Sequence, residues 1–67
     1  MEPNETQLRI LFEALRQELL FEWRVRYVEI LPSGVLMLNF EHATNLNWLC
    51  LYTIPQNGEW KRRAFYV

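Results

Sequence analysis

The chain has 67 residues, 51% of them hydrophobic and 22% charged, with a formal net charge of −1. That length allows one domain, residues 1–67, and a domain so small buries only about 60% of the surface its unfolded chain exposes. The charge balance leaves no whole-chain electrostatic footprint for nucleic acid, and one cysteine (Cys50) with one histidine (His42) excludes an internal disulfide and a Cys₂His₂ or Cys₄ zinc site by count.

Of the usual staples for a small fold, oligomerisation remains. No apolar run is long enough to span a membrane. The start, Met1-Glu2-Pro3-Asn4-Glu5, lacks the basic and apolar regions of a signal peptide. A lone thiol suits a reducing compartment, so the expected location is cytoplasmic. All eight acids are Glu, and six of the seven basic residues are Arg. Arg over Lys suits packed or interfacial positions, because guanidinium is weakly hydrated and forks onto acceptors.

Residues 4 to about 22 read as an amphipathic helix. Leu8, Leu11, Phe12, Leu15 and Leu19 draw one apolar stripe at helical spacing. Asn4 is a candidate cap, with Gln7 three residues on completing a weaker form of the capping box. Ile10, Ala14 and Leu20 fall off the stripe and widen the apolar arc. Glu13, Glu18 and Glu22 read as a solvated face.

After Glu22 the texture becomes that of strands. Trp23 to Leu31 is rich in β-branched and aromatic residues. Pro32-Ser33-Gly34 makes a turn, and Val35 to Glu41 is a second strand. A loop over 42–45 leads to a third strand, Leu46 to Ile54, apolar almost throughout. Asn57-Gly58 is a strong signal for a two-residue hairpin turn, and Glu59 to Val67 is the fourth strand. The expected fold class is α+β: one N-terminal helix packed on a four-stranded antiparallel meander sheet, α-β-β-β-β.

A two-residue turn at Asn57-Gly58 puts Trp48, Cys50, Tyr52 and Ile54 on one face with Lys61, Arg63, Phe65 and Val67. Leu49, Leu51 and Thr53 then share the other face with Trp60, Arg62, Ala64 and Tyr66. Both faces carry bulky apolar groups, whereas a sheet with one wet face alternates cleanly. A helix of about 18 residues is roughly 27 Å long and 10 Å wide, and four strands span nearly 20 Å across at about 4.8 Å each. One helix therefore shelters part of one face. The remainder is expected to be an interaction surface.

The candidate partner-binding residues are Trp23, Tyr27, Trp48, Tyr52, Trp60, Arg62, Arg63, Phe65 and Tyr66, because aromatics and Arg dominate interface energetics. The expected partner is a second copy, as a homodimer, or another protein. Trp60-Lys61-Arg62-Arg63-Ala64-Phe65-Tyr66 also interleaves basic and aromatic residues. Platforms for single-stranded nucleic acid are built this way, which makes such binding the alternative; the competing reading is an edge strand protected by charge.

The inventory for catalysis is poor. His42 has no second histidine near it in sequence. Cys50 sits mid-strand among apolar neighbours, with only Arg63 as a plausible cation. Ser33 lies in a turn, and Gly34 and Gly58 both read as turn glycines rather than a phosphate loop. No enzyme activity, cofactor, metal, membrane contact or small-molecule substrate is expected. The element order resembles many small helix-plus-meander domains. It is also similar to the helix-then-three-strands opening of the double-stranded RNA-binding domain, whose closing basic helix has no counterpart here. A likeness at that level carries no function.

Overall fold

The N-terminal helix, α1, runs from Glu5 to Leu19. The computed structural model describes residues 2–67. The helix start is fixed by local chemistry. The Asn4 side chain accepts from the Gln7 N–H at 2.8 Å, and the Gln7 side chain accepts from the Asn4 N–H at 2.9 Å. The capping box is complete, and Glu5 adds an acid to the first turn, where the helix dipole favours it.

The helix stops three residues short of its expected end. The Phe21 N–H bonds back to the Glu18 carbonyl at 3.0 Å, and Glu22 adopts φ 68°, a left-handed conformation without a glycine to ease it. That conformation costs a side-chain-bearing residue about 1 kcal/mol. The Glu22 carbonyl is then held by the Ala43 N–H at 2.8 Å, which helps to fix the entry into the first strand.

Four strands follow: β1 (Trp23–Ile30), β2 (Leu36–His42), β3 (Trp48–Ile54) and β4 (Lys61–Tyr66). They pair antiparallel in the order β1-β2-β3-β4, so the fold is the α+β helix-plus-meander expected from sequence. β1 and β4 are the edges. β1 carries an irregularity between Val25 and Tyr27, which leaves Arg26 as an extra residue.

The last hairpin departs from expectation. Thr53 pairs with Lys61, leaving the odd number of seven residues between them, where a two-residue turn needs an even number. The Gly58 N–H closes on the Pro55 carbonyl at 3.0 Å, and Gly58 alone in this turn has positive φ, at 83°. Asn57 does not take the left-handed angle that a type I′ turn demands. The extra residue flips β4. Arg62, Ala64 and Tyr66 therefore lie on the face of Trp48, Cys50 and Tyr52, while Lys61, Arg63 and Phe65 lie opposite. Gly58 is also sterically required, since a Cβ there would sit 2.8 Å from Thr6 Cγ2. The turn docks against the helix start, where the Asn4 side chain donates to the Gln56 carbonyl at 3.0 Å.

The core lies between α1 and the inner face of the two central strands. Leu11 and Ala14 meet Leu36, Leu38 and Phe40 of β2 and Cys50, Tyr52 and Ile54 of β3, with Trp23 at one end. The buried line of the helix is Gln7, Leu11, Ala14 and Glu18. This line is rotated from the stripe expected from sequence. Phe12 and Leu19 of that stripe are exposed, while the supposedly off-stripe Ala14 is buried.

Two polar residues sit on the buried line, and both are satisfied. Gln7 is fully buried and donates to the carbonyls of Gly34 and Ile54, at 2.8 Å each, so it ties the helix start to both arms of the central β2–β3 hairpin at its open end. Among the described residues no buried side-chain polar atom lacks a partner. Gln7→Ala would strand two carbonyls and open a cavity, at a cost of about 3 kcal/mol. Urea titration should show that loss, whereas Gln17→Ala, on the exposed side, should stay within about 0.5 kcal/mol of wild type.

Candidate interaction surfaces

Every sheet row can be read from the registers. On the inner face, Val28–Leu38–Tyr52–Arg62 and Val25–Phe40–Cys50–Ala64 cross all four strands. On the outer face run Glu29–Met37–Thr53–Lys61, Tyr27–Asn39–Leu51–Arg63 and Arg24–Glu41–Leu49–Phe65. Among the described residues no element covers the outer face.

Glu18 anchors the far end of the helix. It is 5% exposed, so its expected place on a solvated face is corrected. The Tyr52 hydroxyl donates to Glu18 Oε2 at 2.9 Å, the Arg62 guanidinium donates to both carboxylate oxygens, and the Cys50 thiol donates at 3.5 Å. Burial by itself would raise the Glu18 carboxyl. The hydrogen bonds from Arg62 and Tyr52 and the charge of Arg62 outweigh it and hold the group below its ordinary value of 4.5. Burial pushes the Cys50 thiol up to about 12, and the neighbouring Glu18 charge adds to that. Burial and the bond to Glu18 also raise the Tyr52 hydroxyl. The cation near Cys50 is thus Arg62 and not Arg63, a direct consequence of the flipped register.

This network assigns several of the sequence-expected partner residues to the chain's own interior. Trp23 and Tyr52 are buried at 5% and 3% exposure. Trp23, His42, Trp48 and Tyr66 form a row of rings across the inner face. Centroids are 5.1 Å apart for Trp23–His42, 4.9 Å for His42–Trp48 and 5.6 Å for the stacked Trp48–Tyr66 pair. The row runs from buried Trp23 to exposed Tyr66. Trp60, half exposed, leans on Tyr52 with ring centroids 5.6 Å apart. It borders a cleft of about 350 Å³ against Ile10, Ala14 and Gln17. Arg62 is held by Glu18. Arg63 lies over the Phe65 ring at 5.3 Å on the outer face, and Tyr27 lies on the opposite edge with Arg26 at 6.0 Å from its ring. The basic–aromatic run of β4 is therefore split between two faces and does not form one platform.

The cleft shows which flank of the helix looks toward β3 and β4: that of Ile10 and Gln17. The other flank, bearing Phe12, Leu15 and Leu19, looks toward β1. The inner-face residues Val25 and Val28 of β1 are 42% and 48% exposed, and on the helix Phe12 is 59% and Leu19 53% exposed. Leu20 and Phe21, in the link from α1 to β1, are exposed as well, at 80% and 68%. The result is an apolar shoulder between α1 and β1. Sequence reading assigned Phe12 and Leu19 to the core because the stripe looked continuous. The signal for the rotation was present in the phase, since Gln7, Leu11, Ala14 and Glu18 are also on one line.

Chemistry for catalysis does not converge. His42 Nδ1 is bonded by Thr44, whose N–H donates at 3.3 Å and whose hydroxyl lies at 2.9 Å. Among the described residues no three His, Cys or Glu side chains gather as a metal site would need. No helix among them is long and apolar enough to cross a membrane.

Two solution measurements follow from the network. Glu18, with a lowered folded value, contributes stability that is present above about pH 4.5 and lost as pH falls through that lower value. Denaturation at pH 3 to 5 should therefore show wild type losing stability faster on acidification than Glu18→Gln does; parallel curves would remove Glu18 as an acid-sensitive pin. Cys50, fully buried and protonated at neutral pH, should react with a disulfide reagent only as fast as the protein opens. A fast stoichiometric reaction of the folded chain would contradict this placement.

The chain matches no protein-family model, no curated protein and no solved structure.

Proposed function

We propose that this chain is a small, non-enzymatic protein-interaction module that self-associates as a homodimer through the shoulder between α1 and β1. The observation that carries this reading is the exposure of six large apolar side chains: Phe12 and Leu19 of α1, Leu20 and Phe21 of the link to β1, and Val25 and Val28 of β1. The total surface, 4646 Å², is close to the roughly 4,500 Å² typical of a monomer of this mass. The chain therefore does not expose too much surface overall. Much of its exposed apolar surface belongs to α1, β1 and the link between them.

The occupant follows from area and charge. Six large apolar side chains at these exposures leave on the order of 500 Å² of apolar surface, at the upper end for a monomer patch. Two copies related by a two-fold axis would bury about 1,000 Å², the lower limit for a specific interface. The shoulder's six side chains carry no charge, so a patch placed against itself meets no like-charge penalty. Association also supplies the extra burial that a domain of this length needs. The protonated, enclosed thiol of Cys50 and the Thr44-bonded His42 support the non-enzymatic part of the reading.

Sedimentation across a concentration series tests it. Wild type should be dimeric at tens of micromolar, and Phe12→Glu or Leu19→Glu should weaken the dimer at least tenfold, about 1.4 kcal/mol or more, without unfolding the monomer. A folded wild-type monomer at several hundred micromolar would overturn the proposal.

A further inference from the structure

The second open feature is the β4 edge, and it differs from the β1 edge in a way that selects a partner. On β1, Arg24 and Arg26 both pair with Glu41, at 3.0 and 3.6 Å. On β4, Lys61 and Arg63 enter no ion pair among the described residues. The neighbouring strand explains why: β3 reads WLCLYTI, with no acid to offer across the pair.

The backbone of β4 is also available. The Val67 N–H donates to the Asn47 carbonyl at 2.9 Å. Antiparallel ladders alternate, so Phe65, Arg63 and Lys61 direct their N–H and C=O groups toward β3. Arg62, Ala64 and Tyr66 therefore direct theirs outward, into solvent. β4 thus presents a strand template whose outer-face side chains are cationic and whose inner-face position at Ala64 is small and exposed.

We infer that the β4 edge accepts an extended acidic segment of a partner protein, added antiparallel as a fifth strand, with acids alternating with apolar residues. The outward groups of Arg62, Ala64 and Tyr66 would supply the main-chain bonds. Residues facing Lys61 and Arg63 would occupy the non-hydrogen-bonded pairs, where opposed Cα atoms come within about 4.5 Å and side chains meet most closely. Acids belong there. The residue facing Ala64 has room for an apolar side chain. A second copy of this chain is a poor occupant, because either of its edges would bring further arginines to this one. Nucleic acid is also a poor fit. Arg62 is already held by Glu18, the Phe65 ring carries Arg63, and two free cations give only weak phosphate binding. This inference rests on the interaction-module reading only in requiring a protein partner, and it does not need the dimer.

The test titrates the full chain with a peptide of about ten residues alternating glutamate and valine, following amide exchange and chemical shifts by NMR. Binding should protect the N–H groups of Arg62, Ala64 and Tyr66. Lys61→Glu with Arg63→Glu should weaken it at least tenfold. Ala64→Pro should abolish it while keeping the fold, since the lost N–H points away from β3 and proline is tolerated at such an edge position. Should that variant fail to fold, the charge-reversed pair still decides the matter. Equal binding of a peptide with the same residues in two blocks, equal binding of oligothymidylate, or no protection at those three amides would overturn the inference. Its failure with the dimer intact removes this edge alone; peptide binding by a monomeric wild type removes the dimer alone.

Discussion

The rotation of α1 about its own axis is the constraint on which the rest of this structure depends, and two buried polar residues set it. Gln7 and Glu18 are eleven residues apart, close to three full turns, so they share one line along the helix. At one end Gln7 meets the carbonyls of Gly34 and Ile54; at the other Glu18 meets Tyr52, Cys50 and Arg62. A helix free to maximise apolar burial would turn Phe12 and Leu19 inward. That turn would strand two backbone carbonyls and a guanidinium-paired carboxylate, and unsatisfied buried polar groups cost about 1–3 kcal/mol each. Leaving a large apolar side chain in water forgoes about 1.5–3 kcal/mol. The magnitudes are comparable, and the polar contacts also fix geometry, which apolar contacts do not. The exposed shoulder is thus the complement of the polar pins.

What was legible in the sequence depended on range. The helix start could be read because Asn4, Glu5 and Gln7 act on one another within a single turn. The order and approximate bounds of the strands could be read because β-branched and aromatic runs alternate with Pro, Gly and Asn. The helix end could not, because Glu22 adopts a left-handed angle that helical sequence signals assign to glycine, in a segment tied to Ala43 across the fold. The register of the last hairpin was lost to a single residue. Asn57-Gly58 favours a two-residue turn locally, but Asn4 holds Gln56 and Thr6 crowds Gly58, and the loop closes through Pro55 instead. That residue decided which face Arg62 joins, and hence whether Glu18 could be buried at all.

The preference for Arg over Lys acquires a structural reason from the same contacts. Arg26, at the irregular point of β1, reaches both Asn39 and Glu41, and Asn39 is buried on a face no element covers. Arg62 forks onto both oxygens of Glu18. Arg63 lies over Phe65. The first two uses draw on a planar, multidentate cation where an ammonium would supply only a point charge, and a flat guanidinium also suits the third. Leu49, between Glu41 and Phe65 on the outer face, is only 7% exposed although no helix among the described residues covers it. Exposed large apolar side chains are found on α1, β1 and the link between them, while Leu49 on the outer face is nearly buried.

Charge is divided between the two sides of the molecule. The outer sheet face carries Arg24, Arg26, Lys61 and Arg63 against Glu29 and Glu41. Apart from Glu18, which pairs with Arg62, α1 and its flanking residues carry Glu2, Glu5, Glu13 and Glu22 against Arg9 and Arg16. A net charge of −1 conceals this separation, so whole-chain neutrality was a poor guide to what either face can meet. The two edges show the same point at finer scale: equal numbers of cations stand on the outer faces of β1 and β4, yet one acid, Glu41, pairs with both of those on β1 and none among the described residues pairs with those on β4. Register places Glu41 beside Arg24 and not beside Arg63. An edge strand whose cations lack internal partners repels its own copies and attracts acidic strands, so one feature provides both protection from self-pairing and choice of partner.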